Sequence, residues 1–326
     1  MGQLELIPDI PDEIKLAAEN GKLVIFVGAG VSRLVGSPGW SKFADDCLDF
    51  LANPGDGKNS ALNFSEVEQL KNLDAKKKLS IALKIADVGK LRIPYEKIIQ
   101  PNKLKDKDHI YVYLRKFDCP FVTTNYDNYL VQDYDNELAI LDESPSQSNP
   151  INANVDNTQS GYSPLINPED FSRFSLYDKT RVIHLHGALT ETNSMIISTA
   201  DYLKHYSKKE VKDFLTRMFG SDLCVLFMGY GLEELEILEF VVRDIKKSAS
   251  SKHFLLQGFY SHQAFTFEHL KSYYKEDFGI ELIGFSKDAN NHGQLTRVIK
   301  DWGSQLNFGE PADYDDLNLL MEAIHE

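Results

Sequence analysis

Six short apolar runs set the main limit on what this chain can become: Leu23–Val27, Phe121–Thr124, Val182–Leu185, Cys224–Met228, Phe254–Gln257 and Ile280–Phe285. Each is apolar in sequence rather than alternating. A strand that is apolar on both faces has to be covered on both faces, which is the condition of a parallel sheet wrapped by helices. Helix-period segments lie between the runs. Val211, Phe214, Leu215, Met218 and Phe219 recur at helical intervals after Ser207-Lys208-Lys209-Glu210, which has the spacing of a capping box. Ser65-Glu66-Val67-Glu68 has the same spacing and is expected to open another helix. Strand and helix alternate, so the expected class is α/β: a doubly wound, mostly parallel, Rossmann-like sheet.

Two segments interrupt the rhythm. Residues 53–118 are too long for a simple crossover and are expected to form a helical insertion. Residues 142–170 are rich in Ser, Asn and Pro, which fits either a mobile loop near the site or a plain surface loop. In the tail, residues 311–326, Tyr314, Leu317, Leu320, Met321 and Ile324 suggest one apolar helix face, packed on its own domain or on a second subunit.

Composition narrows the partners. The 326 residues are 42% hydrophobic and 11% aromatic, enough for a proper core. The net charge is −14 and no long basic run occurs, which argues against nucleic acid. The three cysteines, Cys47, Cys119 and Cys224, are far apart and form no C-x-x-C pair. Neither a zinc ribbon nor a disulfide framework is expected, and Cys119 and Cys224 read as core residues. The N-terminal stretch MGQLELIPDIPDEIK does not read as a signal peptide, and no apolar run reaches the length of a membrane span. A soluble cytoplasmic protein without membrane contact is expected.

Chemistry gathers where the apolar runs end. Ligands of open α/β sheets bind outside the carboxyl ends of the strands. Gly28-Ala29-Gly30-Val31-Ser32 follows the first run, where small residues let backbone N–H groups approach a pyrophosphate. A tight turn without a ligand is the plain alternative. The third glycine of the dinucleotide fingerprint is replaced by Arg33, and no acid ends a following strand at the expected distance, so a dehydrogenase is poorly supported. Thr124, Asn125 and Asp127 end the second run; Asn suits sugar hydroxyls or a positioned water, and an Asx turn or helix cap is the plain alternative. His186 precedes Gly187 at the end of the third run and suits a general base, with a hydrogen-bonded core role as its alternative. His184 precedes it by two and points the same way in a regular strand, but no third ligand with metal spacing is visible, so no metal is expected. Gly229-Tyr230-Gly231 makes a second glycine turn, followed by Glu233 and Glu234, which suit ribose hydroxyls or a helix start.

In this order, Gly28-Ala29-Gly30-Val31-Ser32, Thr123-Thr124-Asn125-Tyr126-Asp127, Leu185-His186-Gly187 and Gly229-Tyr230-Gly231-Leu232 resemble the sirtuin-like family. Ile280–Phe285 followed by His292-Gly293-Gln294-Leu295 resembles its last strand and closing helix, so the likeness spans roughly residues 20–305. With no C-x-x-C pairs, and with Ser198-Thr199-Ala200-Asp201-Tyr202 after His186, the chain is more similar to the sirtuin-like domains of bacterial anti-phage defence than to protein deacylases. The resemblance implies NAD as substrate, hydrolysed to nicotinamide and ADP-ribose, so that NAD depletion arrests an infected cell. It makes residues 1–310 the catalytic domain and Asn125 and His186 the catalytic pair. It places Gly28, Ala29, Gly30, Ser32, Thr124, Asp127, Gly229, Tyr230 and Gly231 around NAD. It further implies control by a homo-oligomer or a partner ATPase. A module that senses NAD or ADP-ribose without consuming it, and an NAD-dependent deacylase, are the alternatives.

Overall fold

The computed structural model describes residues 4–310 apart from 56, 102, 105–107, 133, 135–161, 173, 221, 232–236 and 242–252. The expected tail lies outside the described residues, as do Leu232, Glu233, Glu234 and most of the 142–170 stretch.

Seven strands form one sheet: β1 (Leu23–Val27), β2 (Phe121–Thr123), β3 (Ser163–Leu165), β4 (Arg181–His184), β5 (Cys224–Met228), β6 (His253–Phe259) and β7 (Ile280–Ser286). Their order is β3-β4-β2-β1-β5-β6-β7, and every neighbouring pair is parallel. The six expected runs are all strands. The seventh, β3, falls in the stretch expected to be a loop; among the described residues it pairs only with β4, and an edge is where Pro164 is tolerated.

Both faces of the sheet are covered. Leu23, Ile25 and Val27 of β1 pack with α1 (Asp12–Glu19), α7 (Ile110–Leu114) and α11 (Gln294–Gln305) in one core. Val24 and Phe26, pointing the other way, pack with Phe214, Leu215, Met218 and Phe219 of α9 (Lys209–Gly220) and with Tyr274 of α10 (Ala264–Phe278). This two-sided burial is why β1 is apolar throughout. Cys119 and Cys224 are core residues, and burial pushes the Cys224 thiol up to about 12.

Between β1 and β2 the chain forms α2 (Ala29–Arg33), α3 (Trp40–Ala52), α4 (Phe64–Lys71), α5 (Ala75–Val88), α6 (Tyr95–Ile99) and α7. A third core joins Phe43, Leu48 and Leu51 of α3 to Leu79 and Ala82 of α5. Buried Lys78 ties the two helices together through Asp45 at 2.5 Å. The same core takes in Tyr126, Met195 and Ile197, so this helical layer rests on the loops that follow β2 and β4. Among the described residues, no helix is long and apolar enough to cross a membrane.

Two expected caps move. The capping box of α4 is Asn63 with Glu66, two residues earlier than Ser65 with Glu68. Ser207 does not cap α9: it ends α8 (Thr199–Ser207) and its hydroxyl donates to the Lys204 carbonyl. Ser198 with Asp201 forms the box that starts α8. Asn and Asp fill box positions as well as Ser and Glu do, which is how the spacing misled.

Candidate active site

The chain leaves β1 for β2 on one side and later returns to pair β5 with β1 on the other. This reversal opens a crevice at the carboxyl ends of β2, β1 and β5, with β4 beside them. A cavity of about 470 Å³ occupies it, within the range of small-molecule sites. Ala29, Ser32, Thr124, Asn125, Asp127, His186, Gly229, Tyr230 and Gly231 all line it.

Asn125 is held at three points. Thr123 Oγ1 donates to the Val27 carbonyl at 2.8 Å and accepts the Asn125 N–H at 3.0 Å. His184 Nδ1 lies 3.1 Å from the Asn125 carbonyl, so Nδ1 carries the proton. Burial lowers His184 to about 4, keeping the ring neutral. His184 therefore fixes the backbone behind the site rather than sharing a ligand with His186. The Asn125 Nδ2 group donates to Ser32 Oγ at 2.8 Å.

That last bond belongs to a saturated network. Ser32 Oγ donates to Asp127 Oδ2 at 2.6 Å, because a carboxylate only accepts. Tyr111 Oη, 2.9 Å from Ser32 Oγ, must then be a donor. The hydroxyl gives one hydrogen bond and receives two, which is its full capacity. The Asn125 amide thus turns its NH₂ to Ser32, and its Oδ1 makes no hydrogen bond among the described residues. Asp127 also accepts the Tyr129 N–H at 3.3 Å; burial raises its carboxyl above the usual range, and these hydrogen bonds oppose the rise.

His186 approaches from the turn after β4 and is 1% exposed. Its Nε2 lies 2.7 Å from Tyr206 Oη and its Nδ1 3.5 Å from Tyr202 Oη, both from α8. Burial, then the charges of His205 and Lys76, hold it well below the ordinary histidine value. His186 is therefore neutral near pH 7 and free of a proton on one ring nitrogen, the state a general base requires.

The two glycine turns are packed against each other. Gly28 N–H donates to the Met228 carbonyl at 2.9 Å and Gly30 N–H to the Gly229 carbonyl at 2.7 Å. A Cβ on Gly28 would stand 2.5 Å from Tyr230 Cα, and one on Gly30 2.7 Å from the Gly229 oxygen. Gly28 and Gly30 accordingly stand behind the cavity wall, while Ala29 and Gly229 face it.

The helical layer supplies the remaining wall: Trp40, Phe43, Ile99 and the start of α5 at Asp74, Ala75 and Lys76. Lys76 Nζ lies 4.2 Å from the centre of the Tyr202 ring. Sequence reasoning gave none of these a place in the site, nor Tyr111 or Tyr206; Tyr202 entered only with the Ser198–Tyr202 segment of the resemblance. The others leave no trace but helical spacing, as Tyr206 does four residues after Tyr202 on α8. Among the described residues, no three His, Cys, Asp or Glu side chains gather as a metal-ligand set.

The family profile described as SIR2-like domain matches residues 120–283, half of the chain. "Defense-associated sirtuin 2" of Bacillus subtilis is 23% identical over 293 residues, 87% of this chain. The chain spans about a quarter of that relative's length, 25%.

Proposed function

Because this chain belongs to the SIR2-like domain family, we propose that it hydrolyses NAD+ to nicotinamide and ADP-ribose, with Asn125 and His186 as the catalytic pair. One observation carries the reading: a carboxamide held through its Nδ2 and a neutral, buried imidazole line the same cavity at a topological switch point. Binding a nucleotide needs no base. Cleaving the glycosidic bond to nicotinamide does need water positioned and relieved of a proton.

In this reading the C1′–N bond breaks and its electron pair leaves with nicotinamide, which departs neutral and needs no acid. The ribose carbon passes through an oxocarbenium-like state. Asn125 Oδ1, with Nδ2 held by Ser32, orients the water or a ribose hydroxyl. As water bonds to C1′, His186 takes up the proton released and later passes it to solvent. Asp127 acts through Ser32 and is a positioning residue. Ala29 and the Gly229-Tyr230-Gly231 turn are the backbone wall against which the dinucleotide lies.

The name of the Bacillus subtilis relative brings a defence role to the proposal. NAD+ loss as the means of arresting an infected cell is proposed on the resemblance. Control by self-assembly or by a partner ATPase is proposed on the resemblance alone.

The test is nicotinamide release from NAD+ by purified protein, alone and with proteins encoded beside it. Asn125→Ala and His186→Ala should each lower release by about 10²–10⁴-fold while leaving the fold intact. NAD+ binding without consumption in every state would support the sensing alternative, and release of an acyl group from an acyl-lysine peptide would support deacylation.

A further inference from the structure

A dinucleotide brings a diphosphate to the cavity, and two of the glycine-turn N–H groups that would meet it are taken. Gly28 N–H is bonded to the Met228 carbonyl and Gly30 N–H to the Gly229 carbonyl. The acids in the cavity wall are Asp74 and Asp127. Asp127 is engaged by Ser32 and Tyr129. Asp74 turns to its own helix, capping α5 and pairing with Lys77 at 2.9 Å. Against these two acids stands one lysine or arginine, Lys76, among the described residues that line the space. Without that charge the wall would repel phosphate.

Two observations set Lys76 apart from an ordinary surface lysine. The first is its place in the helix. α5 opens Ala75-Lys76-Lys77-Lys78, with no acid in its first turn. Cations are unfavourable at a helix N-terminus, where the macrodipole is itself positive. Lys77 turns to Asp74, Lys78 to Asp45 and Lys76 to the cavity. The second is its side-chain path. Lys76 is partly buried, and its Nζ lies 4.2 Å from the centre of the Tyr202 ring. That ring stands edge-on to His186, with centroids 5.0 Å apart. The cation–π contact holds the ammonium beside the cavity, one ring away from the imidazole, rather than out in solvent. Burial, then the charges of His205 and Lys76, depress His186, so the lysine charge is felt at the reacting end.

We propose that Lys76 binds the diphosphate of the substrate and so makes the cavity selective for phosphorylated nucleotides over nucleosides. This rests on the NAD+ reading above and deepens it. In NAD+ the diphosphate joins the 5′ carbon of the ribose whose C1′–N bond breaks, so a cation one ring from His186 is within reach of it. An ammonium is a compact point charge with three donors, which suits phosphate oxygens. Lys76 comes from the helical insertion, whereas Asn125 and His186 come from strand ends, so bound substrate ties the helical layer to the sheet.

Calorimetric titration of the full chain with ADP-ribose, which carries the diphosphate and no nicotinamide, tests this apart from catalysis. Lys76→Gln keeps most of the stem and removes the charge. It should weaken ADP-ribose binding by about tenfold or more at an unchanged melting temperature. Raising the salt from about 50 mM to about 500 mM should weaken binding by the parent more than by the variant, since screening acts on the charge the variant lacks. In steady-state nicotinamide release the variant should raise KM for NAD+ more than it lowers kcat. No binding of ADP-ribose by the parent, equal affinity in the variant, or equal salt dependence in the two overturns the assignment. If no form releases nicotinamide, the cleavage reading fails while the titration still decides the role of Lys76.

Discussion

Ser32 Oγ donates to Asp127 Oδ2 across 2.6 Å, and through that one bond a buried carboxylate orients the amide of Asn125. Replacing Asp127 by Asn disturbs the arrangement in either amide orientation. An NH₂ turned toward Ser32 adds a donor to an oxygen that already receives Tyr111 and Asn125. An NH₂ turned away meets the Tyr129 N–H. Asp127→Asn should therefore cost about 1–3 kcal/mol of stability in urea unfolding. It should also lower kcat for nicotinamide release more than it raises KM, as expected of a residue that positions another. Parental stability with parental kcat would remove Asp127 from this role.

Tyr206 holds His186 by its Nε2 at 2.7 Å. Tyr206→Phe keeps the ring packing, whose centroids are 5.8 Å apart, and deletes only the hydroxyl. One hydrogen bond of ordinary strength corresponds to a loss of up to about tenfold in rate. The loss should appear in steady-state nicotinamide release with the melting temperature nearly unchanged. A rate equal to the parent would show that the imidazole needs no support from the Tyr206 hydroxyl.

Gly30→Ala separates packing from ligand contact. The new Cβ would meet the Gly229 oxygen at 2.7 Å, a backbone atom that cannot rotate away. Overpacking of this kind destabilises by about 1–3 kcal/mol and pushes the two turns apart. The thermal midpoint should fall together with NAD+ affinity. Weakened NAD+ binding at an unchanged midpoint would instead mean that Gly30 meets the ligand directly.

The sheet was legible because two-sided burial leaves a plain record: Leu23–Val27 must be apolar at every position when α1 and α11 cover one face and α9 the other. β3 left no such record, since Ser163-Pro164-Leu165 is a half-exposed edge strand. The polar strand ends were legible at Asn125, Asp127 and His186, because polar residues directly after buried runs stand out. Their supports were not. Tyr111, Tyr206 and Lys76 come from helices rather than strand ends, where a site residue and a core residue share the same spacing. The glycine turn was read for its N–H groups, yet Gly28 and Gly30 are small because another backbone lies against them, a contact that no local pattern encodes.

Acid should unfold this protein through its buried histidines. His184 and His205 are each lowered by burial from 6.5 to about 4, and His186 moves the same way. The unfolded chain takes up these protons near 6.5 and the folded chain only near 4, so the unfolded state binds more protons in between. Stability is then fully present above the ordinary histidine value and is lost as pH falls through that window, by about 3 kcal/mol for each of the two. Asp127, raised by burial, acts in the opposite sense: its contribution is present below the ordinary carboxylate value and lost as pH rises through its own. Urea unfolding at about pH 7.5 and about pH 4.5 should show the histidine loss, since two or three histidines outweigh one carboxyl. His184→Gln, which keeps a donor for the Asn125 carbonyl but cannot titrate, should make the fall shallower. Equal stability at the two pH values would mean that these rings are not held neutral in the fold.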